Sequence, residues 1–451
     1  MDECKKIVCN AIDRNRDKIF SVGREILRHP ELGYREQATG NRVESTFREL
    51  GLQSITRPAL TGVKGWARGR SHKAGIALIG ELDAVLSPTH PFADPVTGAA
   101  HACGHNTQIA ALLGCAAALT STGVMNSLDG DVCFFATPAE EYLELEYRKG
   151  LIRQGKISWI GGKQELISIG AFDDIDMAVM THSETDAPVP RIVAGGNAMG
   201  FIGKTVRFVG REAHAGGAPE KGINALNAAS LAIMCINAQR ETFRDCDSVR
   251  VHPIITKGGD AVNIVPADVR MESYVRANTV EAIRDANEKV NRAIRGASYA
   301  VGAKAEIDDM AGYLPLRQNG RISRLVESNA AELIGRESVF SGLPFAGSTD
   351  MGDLGYVMPV VQPTVSGFRG AAHSCDFAVS DEEFAYLIPA KLMAMTAIDL
   401  LSNGAAEALA VKNAFPRKTP EEYRALWDGI LAQGVKEKEA ASGTAPEKGN
   451  L

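Results

Sequence analysis

The chain lacks an excess of either charge: 49 Lys and Arg against 55 Asp and Glu leave a net charge of −6. That balance argues against the basic surface on which non-specific nucleic-acid binding depends. Cysteine is sparse as well. Eight residues, at positions 4, 9, 103, 115, 133, 235, 246 and 375, are too few and too scattered for a disulfide framework, so reduced, mostly buried and inert thiols are expected. No apolar run approaches the length of a membrane-spanning helix. The opening Met1-Asp-Glu-Cys-Lys-Lys lacks the basic-then-apolar order of a secretion signal, and a cytoplasmic protein with no membrane partner is expected. There is no internal repeat and no phosphate-binding glycine loop; Gly195-Gly196 and Gly216-Gly217 read as a hinge and a turn.

What is present is enough chain for two domains, since 451 residues exceed what one core usually holds. The first fifty residues read as helical, with a break at His29-Pro-Glu-Leu-Gly33 and a second helix from Thr39 towards Leu50, capped by Gly51. Ala74–Gly80 is a short continuous apolar run, the pattern of a strand buried on both faces of a parallel sheet, and it runs into Glu81-Leu82-Asp83. The arrangement recurs. Val132–Thr137 runs into Pro138-Ala-Glu140-Glu141, and Met177–Thr181 runs into His182. In open α/β sheets ligands bind beyond the carboxyl ends of the strands, so these polar residues converge on one crevice.

His101-Ala-Cys-Gly-His-Asn106 joins them, with a thiol and two imidazoles ahead of an apolar helix from Ile109 to Leu119. These donor types suit a transition metal such as zinc or manganese, and Asn106 or Thr107 can cap the helix. Adjacent carboxylates at Glu140 and Glu141 diverge from a strand end, so one can bind metal while the other handles a proton. Residues 142–170 form a long mixed segment that reads as a lid, a subunit contact or a surface insertion.

After Gly195 the pattern becomes β-α-β-β-α-β: strands at 204–209, 249–255, 269–275 and 304–307, with helices from Ile223 and Val280. This is the ferredoxin-like order of a small inserted domain. The expected division is 1–194 and 309–403 for the catalytic domain, 195–308 for the insert, and 404–451 for a C-terminal helix, Pro420 to Leu431, followed by a disordered tail.

Taken together, His101–His105, Thr137–Glu141, Gly210-Arg-Glu-Ala-His-Ala215, Asn263-Ile-Val-Pro-Ala-Asp268, Gly347-Ser-Thr-Asp350 and Ala372-His373-Ser resemble the aminoacylase and carboxypeptidase family of two-metal amidohydrolases. His29-Pro-Glu-Leu-Gly-Tyr34 with Glu36 further resembles the branch that holds the p-aminobenzoyl-glutamate, hippurate and auxin-conjugate hydrolases. The likeness spans about residues 15 to 400. It implies an α/β metallopeptidase-like catalytic domain with a mixed, mostly parallel sheet, plus a ferredoxin-like α+β lid or dimerisation domain. It further implies that Cys103, His105, Glu141, His182 and His373 hold one or two divalent metal ions, Mn2+ or Zn2+, with Glu140 as general acid/base and Asp83 steering a ligand. His214 resembles an insert residue that reaches a partner subunit's site and stabilises the oxyanion, and Asn263 and Arg276 resemble residues that hold a substrate carboxylate. A homodimer or higher oligomer and a small-molecule substrate follow.

Three departures stand out. Glu81 occupies a position where much of the family has a metal-binding histidine, and is either a ligand or a neighbour of one. Asn106 replaces an aspartate, removing a negative charge. Residues 142–170 replace a short link. The expected activity is hydrolysis of an N-acyl or N-aroyl amino acid by a metal-activated water. Alternatives are hydrolytic deamination of an aryl amine or another non-peptide C–N bond, and a non-catalytic metal-binding protein.

Overall fold

Strand Gly75–Glu81 is buried along all but its first residue, because parallel neighbours flank it on both sides. Asp131–Thr137 pairs with it on one side and Met177–Met180 on the other, in register Leu78↔Phe134 and Leu78↔Val179. Val360–Val361 extends the parallel set beyond Met177–Met180. Val63–Ala67 and Gln53–Thr56 close the opposite edge antiparallel, giving a six-stranded, mostly parallel mixed sheet. Its carboxyl ends lead into Asp83, Glu140, Glu141 and His182, the residues that the strand pattern places there, and into Glu81 as well.

These observations come from a computed structural model that describes residues 2–442 apart from 186, 188, 190 and 344. The chain falls into two compact units. One comprises Met1–Asn197, Leu316–Phe345 and Asp350–Pro420, and the other Ala198–Pro315, Ala346–Thr349 and Glu421–Leu451.

Helix His105–Ser121 is apolar nearly all round and buried at fourteen positions from His105 to Leu119, so it sits inside the first unit rather than on its surface. Ile388–Leu401 is equally interior, every residue but Asp399 being buried. This corrects one reading of the sequence: Glu383–Leu401 is long and apolar enough to cross a membrane. Its burial makes it a core helix, each fully covered Leu or Ile contributing about 1.5–3 kcal/mol. The N-terminal region forms three helices, Glu3–Arg14, Arg16–Arg28 and Gln37–Glu49, and Gly51 turns the last of them out at φ 71°.

In the second unit, Gly200–Val209 pairs antiparallel with both Asp268–Ala277 and Lys304–Tyr313. Helices Ala225–Ala238 and Val280–Ala300 complete the ferredoxin-like order. The strand expected at 249–255 is two pieces, Arg250–Val251 and Ile254–Lys257, each paired with Asp268–Ala277. Pro253 between them has no N–H to give the ladder. The last strand continues to Tyr313, so a boundary at 308 falls inside it. The C-terminal helix runs Pro420–Ser442 rather than ending at Leu431; the rest of the tail read as disordered, from 443, lies outside the described residues. All eight cysteines are free, but only Cys9, Cys103, Cys115 and Cys133 are buried, while Cys246 and Cys375 are exposed.

Candidate metal centre

The turn between Ala100 and helix His105–Ser121 is tight, with Gly104 at φ 87° and packed against Ser183 and Phe368. This delivers Cys103 and His105 to the strand ends. Asp83 fixes what they face: its carbonyl accepts a hydrogen bond from His105 Nδ1 at 2.8 Å, and its Oδ2 accepts from the Glu141 backbone N–H at 2.9 Å. In the neutral ring, an Nδ1 that donates here leaves His105 Nε2 as the lone pair, the tautomer a metal ligand requires. His182 is set similarly, with Nδ1 3.1 Å from the Ser183 carbonyl and Nε2 3.5 Å from Cys103 Sγ.

The carboxylate doublet diverges, though not for the reason the sequence suggests. The strand ends at Thr137, and Ala139 turns the chain at φ 52°, a left-handed conformation that costs a residue with a Cβ about 1–2 kcal/mol. Two contacts hold it there: Glu36 Oε1 accepts from the Ala139 N–H at 2.8 Å, and the Ala139 carbonyl accepts from the Gly162 N–H at 2.9 Å. Glu140 consequently groups with Glu81 and His105, whereas Glu141 groups with Cys103 and His373. In each group, and in a third of Cys103, His105 and His182, the ligand atoms lie within 4.8 Å of one another. His373 is itself at φ 66°, its N–H bound to the Ala102 carbonyl at 2.8 Å, and its Nε2 lies 3.4 Å from Glu141 Oε1.

The donor set fits divalent cations on an observation independent of residue type. Asp83 Oδ1, His105 Nε2 and Glu141 Oε1 are buried without a well-formed hydrogen bond, where buried polar atoms are ordinarily paired; what each faces, His105 Nδ1 at 3.5 Å, Glu81 Oε2 at 3.1 Å and His373 Nε2 at 3.4 Å, is another titratable group of the site. Burial pushes Glu141 up, but the hydrogen bond and charge of His373, with His105, outweigh it and hold the carboxyl at about 2. Burial pushes His105 down, yet Glu81 and Asp83 outweigh it and lift the imidazole to about 10. Such a site concentrates negative potential where a cation belongs. Glu140 moves the other way: burial, then the charges of Glu81 and Glu141, raise it well above the usual carboxylate range. Burial and the flanking carboxylates likewise raise the Cys103 thiol.

Other expected residues lie elsewhere. Asn106 caps nothing: Gly104 stands at the cap position with no side-chain bond, and Asn106 Nδ2 donates to the Gly23 carbonyl at 3.1 Å, a bond an ionised aspartate cannot make. His101 is buried, held neutral by burial at about 3, and its ring nitrogens have no partner. In the second unit His214 and Asn263 are neighbours, the Ala215 N–H donating to the Asn263 carbonyl at 3.0 Å. His214 Nδ1 accepts from the Gly216 and Gly217 N–H groups at 3.2 and 3.0 Å, so a neutral ring carries its proton on Nε2. Arg276, in the same unit, donates to Ser348 Oγ at 2.6 Å and lies over Phe201 and Tyr274.

The sequence reading missed Lys163. Residues 142–170 are not irregular throughout: they form helices Leu145–Arg153 and Gly162–Ser168, and Gly162 to Ile167 are all buried, while Ile152 to Lys156 are exposed. A Cβ on Gly162 would lie 1.6 Å from the Pro138 carbonyl oxygen, so glycine there is what lets the segment close on the turn before Glu140. The only sequence signal was Gly161-Gly162 ahead of a lone lysine.

Comparison with known proteins agrees with this geometry. The chain is 28% identical over 425 residues to a Xaa-Arg dipeptidase from Mus musculus, across 88% of this chain and 89% of the relative. It is 28% identical over 331 residues to an N-acetylcysteine deacetylase from Bacillus subtilis (strain 168), across 71% and 81% respectively. A dinuclear metal-binding peptidase of the M20 family from Bacillus subtilis superposes with TM-score 0.65 at 22% identity, covering 86% of this chain and 99% of that one; at that identity the likeness speaks for the fold alone. The profile of peptidase family M20/M25/M40 matches residues 77–394. The chain belongs to that family and is a metal-dependent hydrolase of amide C–N bonds.

Proposed function

We propose that the protein hydrolyses the amide bond of an N-acyl or N-aroyl amino acid, with Glu140 as general acid/base. The observation that carries this reading is the turn at Ala139, which separates Glu140 from Glu141. Cys103, His105 and His182 would hold one divalent ion, Mn2+ or Zn2+, and Cys103, Glu141 and His373 a second, with Cys103 Sγ shared. The chemistry such ions supply is to polarise a carbonyl and acidify water. Asp83 keeps His105 and Glu141 in place through its carbonyl and its carboxylate. Glu140, whose affinity for a proton is raised by burial, takes the proton of the attacking water and delivers it to the leaving nitrogen. His214 Nε2–H is a donor suited to the developing oxyanion, acting from a partner subunit in a homodimer built on the inserted domain. Asn263 and Arg276 hold the substrate's carboxylate. The deacetylase relative, named for an N-acyl amino acid, supports the substrate class.

The test is Glu140→Gln assayed on N-acetyl, N-benzoyl and aryl-amine substrates, with metal content measured by mass spectrometry. Turnover of the N-acyl or N-aroyl substrates should fall about 10²–10⁴-fold with metal content unchanged. Retained turnover defeats the assignment of Glu140, and turnover of aryl amines alone defeats the substrate class.

A further inference from the structure

The inner wall of the site carries a cation of its own. Lys163 is fully buried, and its Nζ lies 2.6 Å from Glu81 Oε1 and 2.5 Å from Asp350 Oδ1. Its backbone N–H donates to Asp350 Oδ2 at 3.0 Å, so main chain and side chain are fixed by the same carboxylate. Glu81 is spent on both oxygens. Oε1 accepts from Lys163, and Oε2 accepts from Gln108 Nε2 at 2.9 Å, while Gln108 Oε1 takes the Glu81 N–H at 3.1 Å. Glu81, His105 and Glu140 otherwise have the spacing of a third metal-ligand group. Yet Glu81 is absent from the buried atoms that lack a partner, whereas Asp83, His105 and Glu141 are among them.

We infer that the ammonium of Lys163 takes the place of a metal ion between Glu81 and Asp350, so that Glu81 is the ion-pair partner of Lys163 and not a metal ligand. Glu81 Oε2, which lies 3.1 Å from His105 Nε2, is held by Gln108, and Oε1 by Lys163. The segment 142–170 thus confines divalent ions to the two groups that share Cys103. This deepens the proposed function and rests on its two-ion reading.

The experiment is a count of Mn2+ bound per folded chain, by calorimetric titration and mass spectrometry, on wild type, Glu81→Gln and Lys163→Ala. Two ions on wild type is the result the functional reading requires, and fewer defeats that reading by itself. Given two on wild type, Glu81→Gln should still bind two, with each affinity within tenfold; loss of one ion, or a weakening of a hundredfold or more, makes Glu81 a ligand and overturns the inference. Lys163→Ala, which exposes Glu81 and Asp350 to each other, should bind a third Mn2+ or should fold only when Mn2+ is supplied. A folded Lys163→Ala protein that still stops at two ions also overturns it. Glu81→Gln retains every backbone contact described here, so its count decides the matter even where Lys163→Ala does not fold.

Discussion

The two walls of the site are built on opposite principles. On the wall of Cys103, Glu141, His182 and His373, Glu141 Oε1 is buried without a well-formed hydrogen bond and His373 is held at a positive φ. On the wall of Glu81, Lys163, Asp350 and Gln108, the carboxylate oxygens of Glu81 and Asp350 meet donors. Both walls hold buried carboxylates, Glu141 in one and Glu81 and Asp350 in the other, and folding disfavours buried charge unless it is paired. The difference lies in what does the pairing. One wall is completed within the polypeptide, whereas on the proposed two-ion reading the other is completed by bound ions.

Breaking the incomplete wall should have the largest effect. Cys103→Ala removes the atom shared by both ion groups, and at least one ion equivalent together with about 10³-fold or more of the turnover should be lost, measured as metal content and initial rate. Folding of the metal-free protein should hardly change, because that wall contributes little before ions bind. An equal loss of stability in the metal-free variant would contradict the contrast between the walls. Alkylation is a poor probe of Cys103, since Cys246 and Cys375 are exposed and react before buried Cys103.

Breaking the complete wall should act on stability first. Lys163→Ala leaves two buried carboxylates unpaired and should cost about 3–5 kcal/mol in denaturant unfolding of the metal-free protein. Added Mn2+ should recover part of that loss. A change below about 1 kcal/mol would place the pair among weak surface bridges.

The smallest effect sharpens the comparison at its hinge. Glu36, bound to Thr61 Oγ1 at 2.7 Å and to the Ala139 N–H, is raised from 4.5 to about 7, chiefly by burial and then by the charge of Asp83. Between those values the folded chain holds a proton that the unfolded chain has released. Stability from this group is therefore complete below pH 4.5 and declines as pH rises towards 7, by at most about 1.4 kcal/mol per unit. Glu36→Gln, which stays neutral and still accepts the Ala139 N–H, should flatten that slope in pH-dependent unfolding. An unchanged slope assigns it to other groups.

Much of this was legible because it depends on local pattern. The apolar runs at 74–80, 132–137 and 177–181 read as buried strands from composition alone, and the rule that polar residues follow such strands into a common crevice led to Asp83, Glu140, Glu141 and His182. The ferredoxin-like order followed from alternation and helical period. Legibility failed where the deciding partner is distant in sequence. Asn106 read as a cap because capping is local, but its partner is Gly23, eighty-three residues away. Segment 142–170 read as peripheral because its sequence is mixed, yet its stretch Gly162–Ile167 is buried, against Pro138 and Asp350.

The sequence by itself determined the strands, the ligand types and the family, because periodicity and side-chain chemistry are properties of short stretches. Only the tertiary structure decided which carboxylate is already paired with a lysine. Glu81 and Glu141 are both acidic residues at strand ends, and no feature of either stretch separates them. What separates them is Lys163, eighty-two residues from Glu81: a buried charge takes its role from the partner that folding brings to it.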